Sequence, residues 1–115
     1  MINSIQKILG QSAPIAAQNT SIYTVPSSAQ VLFSVVACNR STADTIRIAL
    51  LASGDTIATK HYILYDYSLA VGSMIQITDL YMNSGDQIVV YSLNGTSSFT
   101  ATGEEINRSR MVMNE

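Results

Sequence analysis

From about Tyr23 to Ile106 turn residues cut the chain at near-regular spacing into short apolar runs, and this punctuation constrains the fold more than any other feature. Ser53-Gly54-Asp55, Val71-Gly72-Ser73, Asn83-Ser84-Gly85-Asp86 and Asn94-Gly95 each put a glycine where a tight connection can need positive φ. Between the turns the period is two. Ile46, Ile48 and Leu50 alternate with Thr45, Arg47 and Ala49, and Phe99 and Ala101 alternate with Ser98, Thr100 and Thr102. Such strands bury one side and wet the other. The pattern predicts an all-β fold, a single antiparallel β-sandwich over residues 21–106, with jelly-roll and immunoglobulin-like strand orders both open. A chain of 115 residues has the size of one domain and needs no metal or disulfide staple.

Two runs depart from the alternation. Val31 to Cys38 and Ile88 to Leu93 are apolar on both sides, as in strands covered on both faces. Outside the N-terminal cluster Ile2, Ile5, Ile8 and Leu9 no segment has the 3.6-residue period of a covering helix, and Gly10 and Pro14 limit that one to a turn or two. The cover is then another copy of the chain or a different partner, unless the strands form an unusually apolar edge of a monomer. Residues 1–20 and 107–115 lack strand alternation and read as N- and C-terminal arms that order on a partner, or else as plainly disordered ends. The second arm carries Arg108 and Arg110 beside Met111 and Met113, a docking peptide in composition.

Charged residues are only 12 % of the chain, about half the usual share, while hydrophobic residues make up 47 %. A surface so poor in charge is suited to being covered. The net charge is −2 and the basic residues are scattered, which argues against direct nucleic-acid binding. Cys38 is the single cysteine, so no internal disulfide forms and a zinc site lacks thiolates. The first residues are too polar for a secretory signal, and no apolar run is long enough to span a membrane.

No residue set suggests chemistry. His61 is the only histidine, and no G-x-S-x-G motif selects a serine to pair with it. Most carboxylates sit beside turns, where Asp bonds its own backbone, and adjacent Glu104 and Glu105 point to opposite faces if they lie on a strand. No phosphate loop, dinucleotide fingerprint or calcium loop occurs, so neither a cofactor nor catalysis is expected. Tyr62, Tyr65 and Tyr67 are the one aromatic cluster, a core or subunit contact or else a sugar-stacking platform. Strict alternation places Tyr65 and Tyr67 on one face and Tyr62 on the other. The candidate contacts with a partner or another copy are Ile2, Ile5, Ile8, Leu9, Tyr62, Tyr65, Tyr67, Val89, Tyr91, Met111 and Met113.

The order of several short segments adds a resemblance. Leu9-Gly10-Gln11-Ser12-Ala13-Pro14, Ile22-Tyr23-Thr24-Val25-Pro26, Cys38-Asn39-Arg40, Thr45-Ile46-Arg47-Ile48-Ala49, Lys60-His61-Tyr62-Ile63 and Tyr65-Asp66 occur in that order. This series resembles a family of small virion-associated proteins of tailed phages and prophages over about residues 7 to 106. The resemblance implies a β-sandwich structural subunit located in the virion, made in the host cytoplasm, with no enzymatic activity. Within that class it implies a capsid decoration or cement protein that clamps neighbouring major capsid subunits, or a neck, baseplate or tail-fibre adaptor. Its partners would be itself, as a homo-oligomer with a trimer the simplest closed form, and other virion subunits. A surface carbohydrate-binding module using the tyrosines is the alternative of another class.

Overall fold

A computed structural model describes residues 3–107 as eight strands, joined by short connections except for the longer one between the fourth and fifth. They are β1 (Asn3–Ser12), β2 (Thr20–Thr24), β3 (Ala29–Asn39), β4 (Asp44–Leu51), β5 (Tyr62–Leu69), β6 (Met74–Asn83), β7 (Gln87–Ser92) and β8 (Ser97–Asn107). Sheet A has the order β1-β8-β3-β6 and sheet B the order β2-β7-β4-β5. Every neighbouring pair is antiparallel. The pairs β4·β5, β3·β6, β2·β7 and β1·β8 are nested, as in one long hairpin rolled over on itself. That nesting makes the sandwich a jelly roll and excludes the immunoglobulin-like order.

The alternation read in the sequence is what fills the space between the sheets. Val31, Phe33, Val35 and Ala37 of β3 and Phe99 and Ala101 of β8 point inward from sheet A. Ile46 and Ile48 of β4 and Ile88 and Val90 of β7 meet them from sheet B. All four turn glycines singled out by their neighbours, Gly54, Gly72, Gly85 and Gly95, adopt φ between 72° and 85°. Residues with a Cβ reach that region only at a cost, which is why turn chemistry marked these positions.

A clasp of buried polar groups joins the sheets at one end. The carboxylate of Asp44, at the start of β4, accepts the Ser97 hydroxyl at 2.7 Å and that of Ser92 at Oδ2, and the backbone N–H groups of Thr45 and Asn94 at 2.9 Å each at Oδ1. Burial pushes the Asp44 carboxyl up, but the hydrogen bonds from Ser92, Ser97, Asn94 and Thr45 outweigh it and hold the group below its ordinary value.

The N-terminal segment differs from the arm expected over residues 1–20. Residues 3–12 form β1, an edge strand of sheet A paired with β8 from Asn3↔Asn107 to Ser12↔Phe99. Its alternation is hidden because Leu9 is an extra residue between the pairs Ile8↔Thr102 and Gly10↔Ala101, a bulge that shifts the period. Leu9 thereby turns onto the core, and Gly10 passes so close to β2 that a Cβ would lie 2.0 Å from the Ile22 carbonyl oxygen. The N-terminal apolar cluster therefore forms no helix over its described residues.

Candidate functional site

The two outer faces of the sandwich are the surfaces where contacts can form, and they are built differently. On sheet B the outward side chains of the central strands are Ala49 and Leu51 of β4 and Val89 and Tyr91 of β7. Ile57 of the connection between β4 and β5 and Tyr62 at the start of β5 pack against Ala49, Leu51 and Val89, leaving Val89 only 8 % exposed. The expectation that another copy or a partner covers the second face of the Ile88–Leu93 run is corrected here: over Val89 the cover belongs to the chain itself. A loop covers a strand face as well as a helix does, and it leaves no 3.6-residue period to find.

His61 holds that loop in place. It ends a single 3-10 turn, Thr59–His61, and is buried. Its Nδ1 accepts the Ala58 N–H at 2.8 Å, so its Nε2 donates to Asp55 Oδ2 at 3.0 Å. Both ring nitrogens are thus occupied in tying down the connection.

Beside the loop lies the tyrosine cluster. Tyr65 and Asp66 together oppose Arg47, because β5 gains a residue between the pairs Ile46↔Tyr67 and Ile48↔Leu64, and Asp66 takes φ of +50°. This bulge overturns the strict alternation by putting Tyr67 opposite the core residue Ile46, on the other side from Tyr65. A second extra residue, Ile63 between the pairs Ile48↔Leu64 and Ala49↔Tyr62, brings Tyr62 to the side of Tyr65, where the two rings meet edge to face at 4.8 Å. The Arg47 guanidinium lies 4.4 Å from the ring centres of both Tyr65 and Tyr91 and bonds Asp66 at 2.6 Å. That bond holds the Arg47 guanidinium above its ordinary value. One face of each of these two rings is taken by a cation of the same chain, which leaves less for a stacked sugar.

Among the described residues the outer face of sheet A carries no such cover. Directly opposed residues share a face, so Leu32 and Glu104, Ser34 and Thr102, Val36 and Thr100, and Cys38 and Ser98 all point outward in the middle of the sheet. Ile8 of β1 and Met74 and Tyr81 of β6 flank them, and Tyr81 is 73 % exposed. Ser34 faces two residues of β6, Thr78 and Asp79, since that pairing also bulges. The bulges on the two sides of β3 and β8 leave a groove of about 620 Å³, with Leu32, Thr102 and Gly103 along it and Gln6, Ile8, Asp79 and Glu104 at its sides. Glu104 and Asp79 are the charged side chains at the outward register positions described here.

Glu105, by contrast, points inward, as the alternation of neighbouring glutamates requires. It pairs with Lys7 at 3.3 Å and accepts the Tyr23 hydroxyl, tying β1, β2 and β8 together. Burial, with the bonded Glu105 carboxylate, pushes the Tyr23 hydroxyl well up from its ordinary range.

The sequence-selected contact residues divide accordingly. Ile5 and Ile8, 57 % and 58 % exposed, and Tyr65 and Tyr67 are available at the surface. Leu9, Tyr62 and Val89 pack within the chain, and Tyr91 is half-buried against Arg47. Ile2, Met111 and Met113 lie outside the described residues. Leu32, Met74 and Tyr81 on sheet A and Arg47 on sheet B were missed. The signal for Met74 was present in the alternation Met74-Ile75-Gln76-Ile77-Thr78, whereas a cation stacked between tyrosines of two strands leaves none.

Among the described residues no group of histidine, cysteine and carboxylate side chains is placed to hold a metal ion, and no helix is long and apolar enough to cross a membrane.

No protein-family model matches the chain, and no curated protein matches it in sequence. Among solved structures it is similar to a chain of the T13 IBDV viral particle, with a TM-score of 0.53 and 10 % identity over 92 % of this chain. The match spans only 30 % of that viral chain. A second likeness is to Bacillus endospore appendages, described as disulfide-linked pili, with a TM-score of 0.49 and 15 % identity over 92 % of this chain and 82 % of that one. At 10 % identity the first likeness shows a shared fold alone.

Proposed function

We propose that this chain is a non-enzymatic structural subunit of a virus particle, acting as a decoration or cement protein on the capsid of a tailed phage. The observation that carries the reading is the outer face of sheet A: four long strands, open along their length, with few charges and exposed Ile8, Met74 and Tyr81. A face of threonine, serine, glutamine and scattered large apolar groups is cheap to desolvate, because few ions must leave water and the apolar area is gained. Jelly rolls are used as particle subunits, and the chain shares its fold with part of a chain of a viral particle. His61, whose nitrogens are both used in holding a loop, supports a structural rather than a catalytic role. Self-association, with a trimer the simplest closed form, and contact with major capsid subunits are parts of the same proposal.

Attachment to particles that lack the protein tests it. Val36→Lys and Thr100→Lys add charge to neighbouring outward positions while leaving the core untouched, so particle binding should fall at least tenfold with an unchanged melting temperature. Full attachment by both variants would remove sheet A from the contact. The number of copies per particle then separates the capsid from the tail: hundreds fit the shell, whereas a dozen or fewer fit a neck, baseplate or fibre adaptor.

A further inference from the structure

We propose that the groove on the outer face of sheet A receives Lys60 of a second copy of the chain, so that copies join head to tail, sheet A of one against sheet B of the next. The inference deepens the self-association proposed above by naming its contact, and it does not depend on the particle. It rests on where the charges of the chain find partners. Lys7 is bound to Glu105, Arg47 to Asp66 and His61 to Asp55. Arg40 donates to the Gly95 carbonyl, Glu104 accepts the Ser4 hydroxyl, Asp86 accepts backbone N–H groups and Asp44 is held in the clasp. Among the described residues only the charged side chains of Lys60 and Asp79 have neither an ion pair nor a hydrogen bond.

These two have opposite signs and lie on opposite sides of the sandwich. Asp79 stands at the groove with Leu32 and Ile8, while Lys60 is exposed in the β4–β5 connection, whose Ile57 packs on the outer face of sheet B. Packed sheets lie about 10 Å apart with their outer faces turned away from each other, so no copy brings its own Lys60 to its own Asp79. A second copy does. The other bulge shows what the groove lacks. On sheet B Asp66, also at positive φ, is bonded by Arg47 from the strand opposite, whereas on sheet A the residue opposite Asp79 is the uncharged Ser34. The aliphatic stem of a lysine lies well on a floor such as Leu32 while its ammonium reaches the carboxylate. Ile63, 40 % exposed and close to Lys60 in the chain, adds apolar area. An exposed ion pair contributes little by itself, so the apolar area supplies the affinity and the charges fix the register. Because two different surfaces meet, the contact builds a ring or an open row rather than a two-fold dimer. The groove does not include Val36 or Thr100, so the particle contact and this one use different parts of the face.

The test reads the mass of the full chain by sedimentation equilibrium across a concentration series, in reducing buffer because Cys38 is exposed. Wild type should associate, and Lys60→Glu or Asp79→Lys should each weaken association at least tenfold, since like charges then face each other. The double variant, and an equimolar mixture of the two single ones, should recover it to within about threefold, since opposite charges again meet at each contact. Asp79 has φ of +61°, a conformation that asparagine adopts more readily than lysine, so Asp79→Asn is the second variant and should weaken association at least threefold with an unchanged circular dichroism spectrum. An oligomer insensitive to Lys60→Glu would overturn this contact and leave self-association standing. A mass fixed at 12.4 kDa throughout the series would overturn both.

Discussion

The outer faces of the two sheets begin from similar strands and end differently. Val89 on β7 and Val36 on β3 are both valines on the outward side of a central strand. Val89 is buried under Ile57 and Tyr62, whereas Val36 lies between Gln76 and Thr100 on a face that no connection between the described strands crosses. The decisive difference is in the connections. The link from β4 to β5 runs from Ala52 to His61 and is pinned by the Asp55–His61 hydrogen bond, while the turns from β5 to β6 and from β7 to β8 are short. An apolar strand face in this fold is finished by the chain where a connection is long enough to reach it and is left for something else where none is.

The contrast is broken most severely by removing β1. A chain starting at Asn19 loses the strand that pairs with β8 and the Leu9 contact with the core, so sheet A loses one of its four strands. The expected outcome is loss of the cooperative thermal transition, read by circular dichroism. Retention of the full transition would show that β1 is dispensable and that the segment is an arm after all.

Loosening the clasp common to both sheets gives a smaller effect that should not distinguish the faces. Asp44→Ala strands the hydroxyls of Ser92 and Ser97 and the Asn94 amide, at a cost of roughly 2–3 kcal/mol in chemical denaturation. The pH dependence has a definite sign. Because the folded-state carboxyl lies below its ordinary 3.8, its contribution is fully present above that value and is lost as pH falls through the folded value. Wild-type protein should therefore lose stability on acidification below about pH 4, and Asp44→Asn should flatten that part of the profile.

The smallest pair of effects sharpens the contrast directly. Val89→Thr puts a hydroxyl beneath the β4–β5 connection and should cost about 1–2 kcal/mol. Val36→Thr, on the open face, should stay within about 0.5 kcal/mol of wild type. Equal costs for the two would mean that sheet A is also covered in solution, and the concentration dependence of the Val36→Thr melt would then reveal an oligomer.

Much of the interior was legible before the structure. Turn glycines and the alternation through Ile46–Ile48 and Phe99–Ala101 identified the strands because both follow from local rules of backbone and pleat. What was not legible depends on departures from those rules. Bulges at Leu9, at Ile63 and at Tyr65-Asp66 hid β1 and mispaired the tyrosines, since one extra residue reverses every face assignment beyond it. The cover over Val89 comes from a loop with no periodic signature, and the order of strands depends on pairings between segments as distant as Asn3 and Asn107. The exposed Tyr81 and the groove around Leu32 emerge only when four strands lie side by side.

The nesting of strand pairs also sets the route by which the molecule is made. Only β4 and β5 are joined by a connection that pairs adjacent strands, and each further pair closes a longer loop around the last. Loop-closure entropy then favours growth outward from the middle of the chain, with β1 and β8 meeting last and the overall rate slow for a protein of this size. During synthesis β1 emerges first and waits for its partner until β8 has cleared the ribosome. The Leu9 contact, the Tyr23–Glu105 bond and the groove beside Ile8 all need that final pairing, so the sheet A surface comes into being only with the last strand. A partially synthesised chain has no finished surface with which to join an assembly.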